Sequence, residues 1–197
     1  MTLRSHAIAV LIALGGIAAV PLTQAAEVRV SWALAVRRDG TSSLDPIVPG
    51  TTVRRGDRIG LYISSNAGFV YLLHVDSTGG ATLRFPATPR DAGAPATLPE
   101  TWIEVGEHRG AEFFHLLGST ERLAAVEALA RQPGSRTGED LKLEILRLRR
   151  AHSSLRAPAE RPVLMGGRVR GRPDLRALAV DVVATRFYAR TIQVDHQ

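Results

Sequence analysis

The stretch from Val53 to Pro86 constrains the fold more than any other part of the chain. Ile59, Leu61 and Ile63 alternate with Gly60, Tyr62 and Ser64, and Phe69-Val70-Tyr71-Leu72-Leu73 is a short apolar run rich in aromatic and β-branched residues. Both patterns are those of strands with at least one buried face. Asn66-Ala67-Gly68 and Ser77-Thr78-Gly79-Gly80 lie between the apolar runs and supply turn chemistry with positive φ. The stretch therefore predicts three strands and two turns, arranged as an antiparallel meander.

The same period recurs on either side. Glu27 to Arg37 places Val28, Val30, Trp32, Leu34 and Val36 on one face, a strand. Arg38 to Gly50 holds Asp39-Gly40, Asp45-Pro46 and Pro49-Gly50 and reads as a loop. Thr51 to Ser64 reads as a strand broken by a turn at Arg55-Gly56-Asp57. Prolines at 86, 89, 95 and 99 exclude regular structure between Pro86 and Pro99. Thr101–Val105 and Glu112–Leu117 return to strand patterns. After Gly118 the period lengthens: Ser119 is placed to cap a helix in which Leu123, Val126, Leu129 and Ala130 share a face, with Glu121 in its first turn and Pro133-Gly134 beyond its end.

Thr137 to Ser154 fits a helical face through Leu141, Ile145 and Leu148, while Leu141–Ile145 also alternates; its length and its Leu, Glu and Arg content favour helix. Residues 156–174 are loop-rich, with Val163-Leu164-Met165 the one strand-like triplet. From Leu175 to Val194 the β pattern resumes, too long for one strand, so a break near Thr185 is expected. Strands at both ends, strands in the middle and one helical insertion predict a mainly β protein. We expect an antiparallel β-sandwich, immunoglobulin-like in general architecture, with a one- or two-helix segment inserted around 119–154 and the last strand beside an early one.

The first residues are set apart. Arg4 and His6 precede an apolar run of 14 residues, Ala7 to Val20, and Pro21-Leu22-Thr23-Gln24-Ala25 puts small residues at the positions a signal peptidase reads. A bilayer span needs about 20 apolar residues. The sequence thus predicts a signal peptide over 1–25, one domain over 26–197, export to the periplasm or beyond, and no integral span after cleavage. The chain has no cysteine, so an exported domain must rely on packing rather than disulfides. Its 197 residues, 45% hydrophobic, suffice for a core.

With these elements in place, the segment from Val53 to Ser119 resembles the domain of unknown function 4384 family. The residues that carry the likeness are Arg55-Gly56-Asp57-Arg58, Gly68-Phe69-Val70-Tyr71-Leu72-Leu73-His74-Val75-Asp76, Gly79-Gly80, and Leu83-Arg84-Phe85-Pro86, followed by Leu98-Pro99, Gly110-Ala111-Glu112 and Leu116-Leu117-Gly118-Ser119. The resemblance implies an exported or envelope-associated bacterial β-domain. It assigns no activity and carries over no functional residue; Gly68 and Gly79 are explained as turn residues, and Phe85-Pro86 as a strand end.

Catalytic signatures are missing. There is no thiol and no Gly-x-Ser-x-Gly elbow. Ser64 and Ser65 stand near His74 and Asp76 in sequence, but a triad is a geometry rather than a spacing. His74, Asp76, Glu107, His108, Glu112 and His115 are the candidate metal ligands, and they match no compact ligand spacing; His115, inside an apolar strand, reads as a half-buried histidine with one hydrogen-bond partner. Glu104, Glu107 and Glu112 read as separate surface carboxylates. Gly166–Gly171 lacks the Lys-Ser or Lys-Thr of a phosphate loop. No catalytic, metal or cofactor site is expected.

Charge is the remaining signal. The chain carries a net charge of +6, and residues 141–190 alone hold twelve Lys or Arg against four Asp or Glu. Guanidinium forks at Arg147, Arg149, Arg150, Arg168, Arg170 and Arg172 are the candidate contacts for an anion or a partner, next to the plain reading of a solvated basic face. Aromatics do not interleave with these arginines, which argues against nucleic acid. The expectation is a non-enzymatic exported accessory domain that binds an envelope or secreted protein or an anionic envelope polymer. The alternatives are an anion binder using the Arg-rich third and a hydrolase with an unfamiliar site near His74 and Asp76.

Overall fold

A computed structural model describes residues 27–85, 96–97, 101–132, 137–152 and 174–197. Eleven strands and two helices occur among them: β1 Glu27–Arg37, β2 Asp45–Pro46, β3 Thr52–Val53, β4 Arg58–Ser65, β5 Phe69–Val75, β6 Ala81–Phe85, β7 Ala96–Thr97, β8 Thr101–Glu104, β9 Gly110–Ser119, α1 Ala124–Arg131, α2 Thr137–Ala151, β10 Val180–Thr185 and β11 Phe187–His196, with a 3-10 turn at Leu175–Leu178. Among the described residues no helix is long and apolar enough to cross a membrane. The triplet Val163–Met165 and the prolines from 86 to 95 lie outside the described residues.

Two sheets pack face to face, as the alternation predicts. The first runs β10-β1-β4, with β7 and β8 on the far side of β4 and β2 beside β1; the second runs β3-β11-β9-β5-β6. Pairing is antiparallel except for β3, which lies parallel to β11. Val28, Val30, Trp32, Leu34 and Val36 of β1 and Ile59, Leu61 and Ile63 of β4 meet Val70, Leu72, Phe114, Leu116, Tyr188, Ile192 and Val194 in one core. Inside it the Trp32 indole N–H donates to the Tyr188 hydroxyl at 3.0 Å, so the largest polar atoms of the interface satisfy each other. The likeness to an immunoglobulin domain extends to two facing sheets and no further, since both outer faces are also covered.

The alternate residues explain that covering. Tyr71, Leu73, Val75, Leu117 and Phe187 point away from the core and form a second cluster with Leu123, Val126, Leu141, Ile145 and Leu148 of the helical segment. α2 is thus a helix, and its Leu141, Ile145 and Leu148 make the stripe expected of it. It sits close: Gly138 N donates to Gly79 O at 2.9 Å, and a Cβ on Gly138 would stand 2.5 Å from Val75 Cγ1. On the other sheet, Ala33, Ala35 and Tyr62 pack with Leu175, while Gly60 leaves room for Trp102, whose ring would lie 2.7 Å from an added Cβ.

Several expectations are corrected. β4 and β5 are not meander neighbours, for β4 pairs with β1 and β5 with β9 and β6 in the opposite sheet. The alternation told which face is buried but not which sheet holds it. Asn66-Ala67-Gly68 carries the chain between the sheets without positive φ. Asn66 does this by accepting from Arg29 N at 2.6 Å and donating to Glu27 O at 3.1 Å. Gly79, by contrast, has φ 85° and does close the β5–β6 hairpin. Ser119 belongs to β9 rather than capping a helix; α1 starts five residues later behind Leu123, whose N–H is taken by the Tyr71 hydroxyl at 2.8 Å, and Glu127 rather than Glu121 supplies the acid of its first turn. Ala96–Thr97 pairs with β4 inside the proline-rich connection. Leu175–Leu178 is a 3-10 turn, not strand. The break near Thr185 is found at Arg186, φ 63°, where the chain leaves one sheet for the other.

Candidate functional site

The inward side chains at one end of the second sheet are polar. His74 of β5, Glu112 of β9 and His196 of β11 follow Leu72, precede Phe114 and follow Val194, each at the two-residue period that returns a side chain to the same face. Glu112 is not a surface carboxylate as its setting in sequence suggested, being only 12% exposed at its side chain. Its two oxygens face different imidazoles: His74 Nε2 lies 2.8 Å from Oε2, and His196 Nδ1 3.5 Å from Oε1. The His74 ring stacks on Phe114 with centroids 4.7 Å apart, which fixes its plane.

Arg84 of β6 completes the group, its guanidinium 3.0 Å from His74 Nδ1. A guanidinium can only donate, so Nδ1 accepts, the ring proton is on Nε2, and Nε2–H donates to Glu112. The chain Arg84–His74–Glu112 therefore ties three adjacent strands together with every bond charge-assisted or carboxylate-directed. His196 Nδ1 is buried without a hydrogen-bond partner, at ion-pair distance from the carboxylate. Among the described residues no three His, Cys, Asp or Glu side chains are placed to hold a metal ion. Sequence reading named His74 and Glu112 together only as candidate metal ligands, and missed Arg84 and His196 as members of this group. The signal for His196 was its place two residues after Val194 and four after Ile192.

The triad considered near His74 is not assembled. Ser64 and Ser65 lie on β4 in the other sheet, Ser65 Oγ donates to Arg29 O at 2.8 Å, and both His74 nitrogens are engaged. Asp76 closes its own turn, accepting from Thr78 N, Thr78 Oγ1 and Gly80 N at 2.6 to 3.0 Å. Burial would raise its pKa, but those bonds outweigh it and hold the carboxyl below the usual value. Asp57 is similar: burial opposes ionisation, while donors from Arg54 N, Asp39 N and Arg38 hold the group ionised. The Gly-Asp pair at 56–57 thus builds the β3–β4 turn. Buried Glu127 joins Arg122, Arg131 and the Tyr71 hydroxyl, fastening α1 to β5; the Arg122 bonds chiefly lower its pKa. Glu107 pairs with Arg55 at 3.0 Å, and His108 is exposed.

His115 is buried more deeply than the half-buried position the sequence suggested, at 2% exposed, and its Nδ1 lies 3.0 Å from Thr191 Oγ1, the one hydrogen-bond partner expected. It faces the helices. Burial, then Arg149 and Lys142, push its pKa down to about 4.

The predicted arginine contacts divide. Arg147 donates through Nε and a terminal nitrogen to Glu144 at 2.7 and 2.6 Å, and Arg149 donates to Ala189 O at 2.8 Å. Arg150 is exposed on α2, whereas Arg168, Arg170 and Arg172 lie outside the described residues. Ahead of these cations on α2 stand Leu143, 64% exposed, and Leu146, 39% exposed. Leu143, Leu146, Arg147 and Arg150 follow helical spacing and form a stripe opposite Leu141, Ile145 and Leu148. No family model matches the chain, and no curated protein or solved structure matches it either.

Proposed function

We propose that the chain is a non-enzymatic accessory domain, exported to the periplasm or beyond, that binds an envelope or secreted protein or an anionic envelope polymer. The observation that carries this reading is the second stripe on α2. Two exposed leucines flanked by Arg147 and Arg150 are what a partner-binding helix face needs, apolar area with cations at its rim. The Arg-rich sequence that follows α2 and the likeness of Val53–Ser119 to an envelope-associated family support it. His74, Glu112 and Arg84 are committed to bonds with one another, which leaves these three poorly suited to bind substrate.

Retention on an immobilised polyanion tests the reading. We expect retention that weakens with added salt and is reduced by Arg147→Gln with Arg150→Gln. Leu143→Ser with Leu146→Ser discriminates the partners: an anionic polymer ignores the leucines, and a protein surface does not. Reproducible hydrolase turnover abolished by one Ser, His or Glu substitution would overturn the proposal.

A further inference from the structure

A sheet ends in strands whose outer N–H and C=O groups face no partner, and proteins blunt such edges with short strands, charge, proline or bulges. The other edge strands are blunted, and β11, which meets β3 only at Asp195 and His196, carries Arg190 on the remainder of its length. β3, β2 and β7 have two residues each and β8 four, while β6 carries Arg84 and pairs with β5 through a register shift between Leu72 and Leu73. β10 is different. Its six residues, VDVVAT, contain no Lys, Arg or Pro, its pairing with β1 is unbroken from Val180 to Thr185, and among the described residues no strand pairs with it on the other side. The same strand exposes Val183, at 41% one of four large exposed apolar side chains in the described chain. Low charge, β-branching and an open edge meet on one strand.

We propose that two copies of the chain pair edge to edge through β10, antiparallel, with Val183 opposite Val183. Val182 and Ala184 face the core, while Asp181 and Val183 face outward. A twofold axis normal to the sheet keeps like faces together, so only residues of the same facing can stand opposite each other. Four registers satisfy this near the strand centre, of which Ala184 opposite Ala184 pairs only the last three residues of each strand. Asp181 opposite Asp181 sets like charges together, and Val182 opposite Val182 sets Asp181 against Val183. Val183 opposite Val183 sets Asp181 against the Thr185 hydroxyl and Val182 against Ala184, and it buries both exposed valines as a cross-strand pair. Asp181 thus selects the register. An interface of two six-residue strands is small, so the dimer is weak and concentration-dependent.

Sedimentation equilibrium of the purified protein from micromolar to millimolar concentration is the test. The average mass should climb toward two chains. Val183→Lys and Val183→Asp should each remain at one chain with unchanged circular dichroism and melting, because the side chain is exposed. An equimolar mixture of the two variants should associate again, since Lys then faces Asp. A wild type that stays at one chain throughout, a Val183→Lys variant that associates like the wild type, or a mixture that remains at one chain would each overturn the proposal.

Discussion

Acid should loosen the helical layer before it reaches the rest of the molecule, and His115 is the reason. Its imidazole is 2% exposed on the face of β9 covered by the helices, next to Phe113 and Thr191, with the cations Arg149 and Lys142 nearby. Among the described residues no carboxylate stabilises a proton there, so the folded state resists it. Burial takes the pKa from 6.5 in the unfolded chain to about 4 in the fold, a difference worth about 3 kcal/mol. The sign follows. Between these two values the unfolded chain binds the proton and the folded chain does not, so stability is complete above pH 6.5, falls as pH drops toward about 4, and then levels off for this group. The maximal slope is about 1.4 kcal/mol per pH unit, that of one proton.

Denaturant unfolding at a series of pH values measures this. His115→Gln keeps an amide for Thr191 and removes the titration, so the wild-type curve minus the variant curve should show the one-proton slope in that window. Equal slopes would refute the reasoning. Asp57, Asp76, Glu127 and Glu144, whose folded pKa values are lowered, contribute stability that is present above their unfolded values of 3.8 to 4.5 and is lost at lower pH. Their effect lies mostly below the His115 window.

Other perturbations have equally definite outcomes. Gly138→Ala puts a methyl 2.5 Å from Val75 Cγ1 and 2.9 Å from Gly79 O, and should cost about 1–3 kcal/mol in denaturant unfolding as α2 is lifted from the β5–β6 turn. Asp57→Ala strips acceptors from Arg54 N, Asp39 N and Arg38, with an expected loss of about 2–3 kcal/mol by the same measurement. Gly60→Ala should displace Trp102, over which Arg37 sits at 4.5 Å, and a shifted tryptophan emission with a loss of about 1–3 kcal/mol would show it.

Strands and their faces were legible in the chain because a side-chain period of two survives whatever lies on either side. Glu27–Arg37 was read to its ends, and α2 was read from Leu141, Ile145 and Leu148. Sheet membership was not legible. Asn66-Ala67-Gly68 has the composition of a hairpin turn, yet it spans the core, because its hydrogen bonds go to β1 rather than across its own ends. The polar group at Glu112 escaped for another reason: its members come from four strands, and no local spacing joins His74 to His196. Ser119 looked like a cap because a short polar residue before a helix usually is one. Here the Tyr71 hydroxyl takes that role from another strand.

The placement of β11 bears on when this chain can fold. β11 lies inside its sheet, paired with β9 along its length and with β3 at Asp195 and His196, and β10 just before it completes the first sheet. Apart from β1 with β2 and β5 with β6, every strand pairing joins strands that are not consecutive, so closing either sheet requires long loops to be closed first. Such topologies fold in milliseconds to seconds rather than microseconds. A chain that stops before Phe187 lacks the strand that joins β3 to β9, and so cannot close the second sheet.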